Sequence, residues 1–140
     1  MRPGYHTLSA YLVSHEAEAI KRFAETAFGA EEVHPALRTP ERLVHVALKI
    51  GDSVLLLAAP PEGMGEESAF LHLYVEDCDA AHARALAAGA ESIMPPAPQD
   101  HGDRACMVRD PGGNKWWLAT YIDTVSDEEI LRRKGAAQQT

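Results

Sequence analysis

The hydrophobic pattern of the chain switches between two periods, and it does so twice. Leu8-Ser9-Ala10-Tyr11-Leu12-Val13 reads as a strand. From about residue 15 to 28 the apolar residues Ile20, Phe23, Ala24, Ala27 and Phe28 recur at i, i+3, i+4, i+7 and i+8, one face of a helix. Gly29 stands where a left-handed residue would end it, and Glu16 and Glu18 suit the positive end of its dipole. Strands are then expected over 32–37, 43–50 and 53–58, punctuated by Thr39-Pro40 and Gly51-Asp52.

The second half repeats the plan. Leu71-His72-Leu73-Tyr74-Val75 alternates as a strand, and Asp77 is placed to cap a helix. Cys78, Ala81, His82, Ala85 and Leu86 repeat the same helical seam, and Gly89 closes it. Strands are expected over 92–96, 104–109 and 115–121, with turns at His101-Gly102-Asp103 and Asp110-Pro111-Gly112-Gly113-Asn114. Val13 and Val75 lie equally far from Gly51 and Gly113, so the halves superimpose at an offset of 62 residues. The reading is one α+β domain over 1–140, built of two βαβββ modules, 6–59 and 69–122. The polar, Pro- and Gly-rich stretch 60–68 is a linker or mobile loop. A C-terminal helix is expected over 126–134, with Ser126 and Glu129 as a capping box, Gly135 as its stop and 136–140 frayed.

These residues resemble the vicinal-oxygen-chelate superfamily, which holds glyoxalase I, extradiol dioxygenases and bleomycin-resistance proteins. The carriers are Tyr11-Leu12-Val13, Ala27-Phe28-Gly29-Ala30-Glu31 and Ile50-Gly51-Asp52-Ser53-Val54 in the first half. In the second they are Leu71 to Asp77, Gly102-Asp103-Arg104 and Asp110-Pro111-Gly112-Gly113-Asn114-Lys115-Trp116-Trp117, and the likeness runs from about residue 6 to 122. It is similar above all to a glyoxalase/bleomycin-resistance-like branch with a G-D-R segment and a D-P-x-G-x-x-W hairpin. The resemblance implies two curled sheets, each half a barrel, around a cavity, commonly at a homodimer interface. In metal-dependent members four His or Glu ligands point inward from the first and last strands of both modules. The fold hosts many chemistries, so function rests on the site.

Counted from the shared helix and hairpin marks, the four ligand positions fall on Leu8, Leu55, Phe70 and Trp117, none of which binds a divalent cation. Their neighbours Thr7, Ser9, Val54, Leu56, Ala69, Leu71, Trp116 and Leu118 include no His, Asp or Glu. A metal site is therefore not expected. The expected ligand-binding set is Leu8, Leu55, Phe70, His72, Tyr74, Arg104, Trp117 and Tyr121: an apolar, aromatic floor with a few polar groups to orient a small organic molecule. Arg104 would clamp a carboxylate or carbonyl, or else pair internally with Asp103. His6, His45, His72 and His101 are the fallback ligands should a divalent metal ion be used, or a general base in a metal-free reaction. His45 and His72 read equally as hydrogen-bonded strand residues, and His82 and His101 as a helix and a turn residue.

Composition narrows the partners. Thirteen Lys and Arg against 21 Asp and Glu leave a net charge of −8, which disfavours nucleic acid and weakly favours a cationic or neutral ligand. The longest apolar run, Val54 to Ala59, is far below the ~20 residues of a membrane span, and no signal-peptide pattern opens the chain. Cys78 and Cys106 are isolated, so a reducing cytoplasm is expected; Cys106 reads as a buried, inert thiol, and at Cys78 the helix N-terminus and the flanking Asp77 and Asp79 act in opposite directions. Two functions fit these residues. One is a metal-free protein enclosing a small, partly aromatic molecule; the other is a metal-dependent lyase, isomerase or dioxygenase.

Overall fold

The computed structural model describes residues 2–138. The first module runs β1 (Ala10–Val13), α1 (Ala17–Phe28), β2 (Glu31–Glu32), β3 (Leu37–Arg38), β4 (Leu43–Ile50) and β5 (Ser53–Ala58). The second runs β6 (Phe70–Tyr74), α2 (Cys78–Ala87), β7 (Glu91–Pro98), β8 (Asp103–Arg109) and β9 (Lys115–Tyr121), and α3 (Asp127–Gln138) follows. In one sheet the order is β1-β5-β4-β2, with β3 also on β4; in the other it is β6-β9-β8-β7. The first strand of each module pairs parallel with its last. The architecture is thus α+β, two βαβββ modules with open sheets that do not close into a barrel.

The helices lie on one face of both sheets and enclose the core. Ile20, Phe23, Ala24 and Ala27 of α1 and Cys78, Ala81 and Ala85 of α2 are buried, as their spacing demands. They meet Leu12, Val46, Leu48, Leu55 and Leu57 from one sheet and Cys106, Val108, Trp116 and Leu118 from the other. Trp116 is the hub between modules, its ring 5.0 Å from Phe28 and 6.0 Å from Phe23.

The Asp110 turn is a second tie. One carboxylate oxygen accepts from the backbone N–H of Gly112 (2.8 Å) and of Asn114 (2.9 Å); the other accepts from Asn114 Nδ2 (3.0 Å) and the Trp116 indole (2.8 Å). Asn114 Oδ1 in turn accepts from the Ala69 N–H at 2.9 Å, which fixes the start of β6. At Gly112 the chain presses on α1, because a Cβ there would stand 2.3 Å from Ile20 Cδ1.

Caps agree with the pattern. Gly29 is left-handed (φ 67°), and the Asp77 carboxylate accepts from the Ala80 N–H at 3.1 Å. Three segments differ. The expected strand over 32–37 is split into the two-residue pieces β2 and β3; Val33 still donates to the Ala47 carbonyl at 2.9 Å, and His34 to Ala36 leave the sheet. The end of the 60–68 segment is tied down: Glu67 exchanges backbone bonds with Val13, and Glu66 accepts from the His15 N–H at 2.8 Å. Helix α3 starts under Ser126, whose hydroxyl accepts from the Glu129 N–H, but it continues through Gly135. A glycine inside a helix costs only about 1 kcal/mol, too little to enforce a stop. Residues 139 and 140, part of the segment expected to fray, lie outside the described residues. No helix among the described residues is long and apolar enough to cross a membrane.

Candidate functional site

The helix-free faces of the two sheets are where side chains stand available. On β6, Leu71 and Leu73 pack toward the helices, so Phe70, His72 and Tyr74 project from the opposite face. On β9, Trp116 and Leu118 are core, so Trp117, Ala119 and Tyr121 project with them. The ladders set these side chains in rows. His72, Trp117 and Met107 lie abreast, as do Tyr74, Ala119 and Ala105 in the next row. Tyr121 stands opposite Asp103. Ala105 and Ala119, in the row beside Trp117, are fully buried, whereas Phe70, Tyr74 and Tyr121 are 61%, 64% and 60% exposed. The His72 and Tyr74 rings meet edge to face at 4.6 Å. This is an aromatic platform with one imidazole, suited to stacking on a flat apolar molecule.

Leu8 and Leu55 are not part of it. Core positions Leu12 and Leu57 of the first sheet correspond to Leu73 and Leu118 of the second, an offset of 61 residues (12 to 73, 57 to 118). Alignment of Gly51 with Gly113, or of Val13 with Val75, yields 62 instead, one residue out of the ladder register. In a strand one residue inverts the face. Leu55 consequently points into the core and Leu8 precedes β1, 88% exposed. The first-sheet counterparts of Phe70 and Trp117 are Ser9 and Leu56, which are no better as metal ligands. Leu8 and Leu55 do meet His6 and His72, along a cleft of about 270 Å³ between the modules. A neighbouring cleft of about 480 Å³ runs from His72 past Tyr74 to Arg84.

Arg104 is committed elsewhere. Its Nε donates to Asp79 Oδ2 at 2.7 Å and its Nη2 to Oδ1 at 2.9 Å, a two-pronged pair that binds β8 to α2 on the helix side. Asp103 pairs instead with His101 at 3.3 Å. The four fallback histidines are dispersed. His6 bonds the Asp52 carbonyl, His45 the Tyr11 hydroxyl, His72 abuts Tyr74, and His101 is in its turn. Among the described residues no group of three or more His, Cys, Asp or Glu is placed to hold a metal ion. His82 bonds Ser92 Oγ at 2.8 Å. Both cysteines are buried free thiols; burial, chiefly, pushes Cys106 up to about 12.

Two features of the site lie outside the sequence reading. Met107 joins the platform because it faces away from the helices, as alternation on either side of the core residue Cys106 requires. On the first sheet, His34 from the segment after β2 stacks on His45, a contact no local pattern signals.

Paired βαβββ modules with the helices on one face and open sheets on the other define a glyoxalase-like fold. The chain belongs to the Glyoxalase/Bleomycin resistance protein/Dioxygenase superfamily, whose family model matches residues 6–118. An uncharacterized protein of Mycobacterium bovis is 32% identical over 134 aligned positions, covering 88% of each chain. Among solved structures, TioX from Micromonospora sp. ML1 is similar in fold, with a TM-score of 0.69 at 22% identity over 84% of this chain and 99% of that one. A lactoylglutathione lyase from Agrobacterium tumefaciens gives 0.62 at 21% identity, over 85% and 96%.

Proposed function

We propose that this protein binds a small, partly aromatic organic molecule on the platform of the second sheet, without a metal ion. The observation that carries the reading is the row of Trp117, Met107 and His72 beside exposed Phe70, Tyr74 and Tyr121. Apolar flat surfaces of this kind favour ligands by burial and by stacking, the latter contributing about 0.5–1.5 kcal/mol per ring. His72 supplies a hydrogen bond to orient the ligand. The positions from which relatives with a metal would ligate it carry Ser9, Leu56, Phe70 and Trp117, which do not fit a divalent cation. The net charge of −8 favours a cationic or neutral ligand. A second copy of the chain, which members of the superfamily commonly recruit, would cover the open face and enclose the ligand.

The test is a titration of the purified protein with indole and with the planar cation proflavine, followed by calorimetry. Binding that disappears in Trp117→Ala supports the reading; unchanged affinity in that variant removes the platform from the site. Elemental analysis of protein prepared without chelators is the second arm. Stoichiometric, chelator-sensitive metal would overturn the reading in favour of a metal-dependent lyase, isomerase or dioxygenase.

A further inference from the structure

The helix-free face of the first sheet carries a different chemistry. The Tyr11 hydroxyl and His45 Nδ1 are 3.2 Å apart, and the Tyr5 hydroxyl and His34 Nε2 are also 3.2 Å apart. The two imidazoles stack, with centroids 6.0 Å apart and planes 25° from parallel. Arg2 lies over the Tyr5 ring at 5.6 Å. Residues from four separate places are thus gathered: the N-terminal segment, β1, the segment after β2, and β4.

Hydrogen bonding assigns roles within the group. His34 Nδ1 faces the Pro35 carbonyl at 3.4 Å, so the proton of its neutral form belongs there and Nε2 accepts from Tyr5. His45 is held through Nδ1 by Tyr11, which leaves Nε2 as the outward nitrogen. The charged groups that act on His45 are Arg2 and His34, both positive when ionised; no carboxylate is among them. Its partner across the sheet on β3, Leu37, is uncharged. In a protein of net charge −8, His45 is acted on by cationic groups and by no carboxylate.

We propose that His45, Tyr11, His34, Tyr5 and Arg2 form a binding site for an oxyanion, the carboxylate or phosphate group of a small molecule. With an anion bound, the His45 imidazolium donates through Nε2 to the anion and through Nδ1 to the Tyr11 oxygen, which frees the Tyr11 hydroxyl to donate to the anion as well; the Arg2 guanidinium adds charge, and Tyr5 and His34 position Arg2 and His45. The site is independent of the aromatic platform, which lies on the other sheet. Bound anion favours the imidazolium form of His45, while burial, first, and then His34 and Arg2 disfavour it in the free protein. Binding therefore takes up a proton, and affinity rises as the pH falls.

The experiment is calorimetric titration of the full chain with inorganic phosphate and, separately, with benzoate, at about pH 6 and about pH 8. The expected result is binding of at least one anion, tighter at the lower pH. His45→Ala should weaken it roughly tenfold, as loss of a hydrogen bond to a charged group does, and Tyr11→Phe less. Trp117→Ala should leave it unchanged. Tighter benzoate assigns the site to carboxylates and tighter phosphate to phosphate esters; either supports the site. No binding at either pH, or equal binding by the parent protein and by both His45→Gln and Tyr11→Phe, overturns it. Tyr11→Phe keeps the ring and so keeps the test valid if His45→Ala does not fold.

Discussion

Trp116 and Trp117 are consecutive in the chain and stand on opposite faces of one strand. Trp116 is 2% exposed, packs on Phe23 and Phe28 and donates its indole N–H to Asp110. Trp117 lies between His72 and Met107 on the open face. Their truncations should therefore separate stability from binding. Trp116→Ala is expected to cost about 3–5 kcal/mol in urea unfolding, the loss of a large core aromatic. Trp117→Ala should cost about 1 kcal/mol or less and abolish the aromatic-ligand signal. Equal destabilisation by both would mean that the second sheet's open face is core.

The Asp110 turn should prove as important to folding as the core it borders. Asp110→Ala leaves the Gly112 N–H, the Asn114 amide and the Trp116 indole without their acceptor, and is expected to lower stability by roughly 2–4 kcal/mol. Asp110→Asn should recover part of this, since one acceptor oxygen remains.

At Gly112 the restriction is steric. Gly112→Ala should cost roughly 1–3 kcal/mol, because the methyl collides with Ile20 Cδ1. Ile20→Val deletes that atom. The double variant should then lose less than the sum of the single variants, and strict additivity would show that the clash is relieved elsewhere.

Cys106 provides a pH prediction. Its folded thiol is raised from 9.0 to about 12, chiefly by burial. A group raised in the folded state holds its proton there after the unfolded chain has released it. Stability is complete below about pH 9 and falls as the pH climbs toward 12, by up to about 1.4 kcal/mol per pH unit. Denaturant midpoints measured across this range should fall for the parent protein and fall less for Cys106→Ala. Native protein should also resist a disulfide reagent until it unfolds.

Arg104 separates a structural ion pair from a ligand clamp. With its guanidinium engaged by Asp79 on the helix side, Arg104→Ala should leave aromatic-ligand affinity unchanged. A large loss of affinity with an intact fold would show that the side chain leaves Asp79 to reach the ligand.

Much of this molecule is written locally. The two helical seams, the Asp77 cap, the left-handed Gly29, the strand from Lys115 to Tyr121 and the repeated βαβββ order all follow from periodicity and turn chemistry within a few residues. The motifs around Asp110 and Gly102 were legible as family marks, and the aromatic residues of the second module as candidates for the site. Which face each strand residue occupies was decided by the tertiary structure. Strand side chains alternate with period two, so sequence marks that superimpose one residue away from the ladder equivalence assign Leu55 to the wrong face: Leu55 is core while Trp117 stays outside. The same holds for His34 on His45, for Arg104 on Asp79 and for Gly112 on Ile20. Each is a meeting of residues distant in the chain, set by how sheets and helices pack in three dimensions, and local sequence carries no information about that distance.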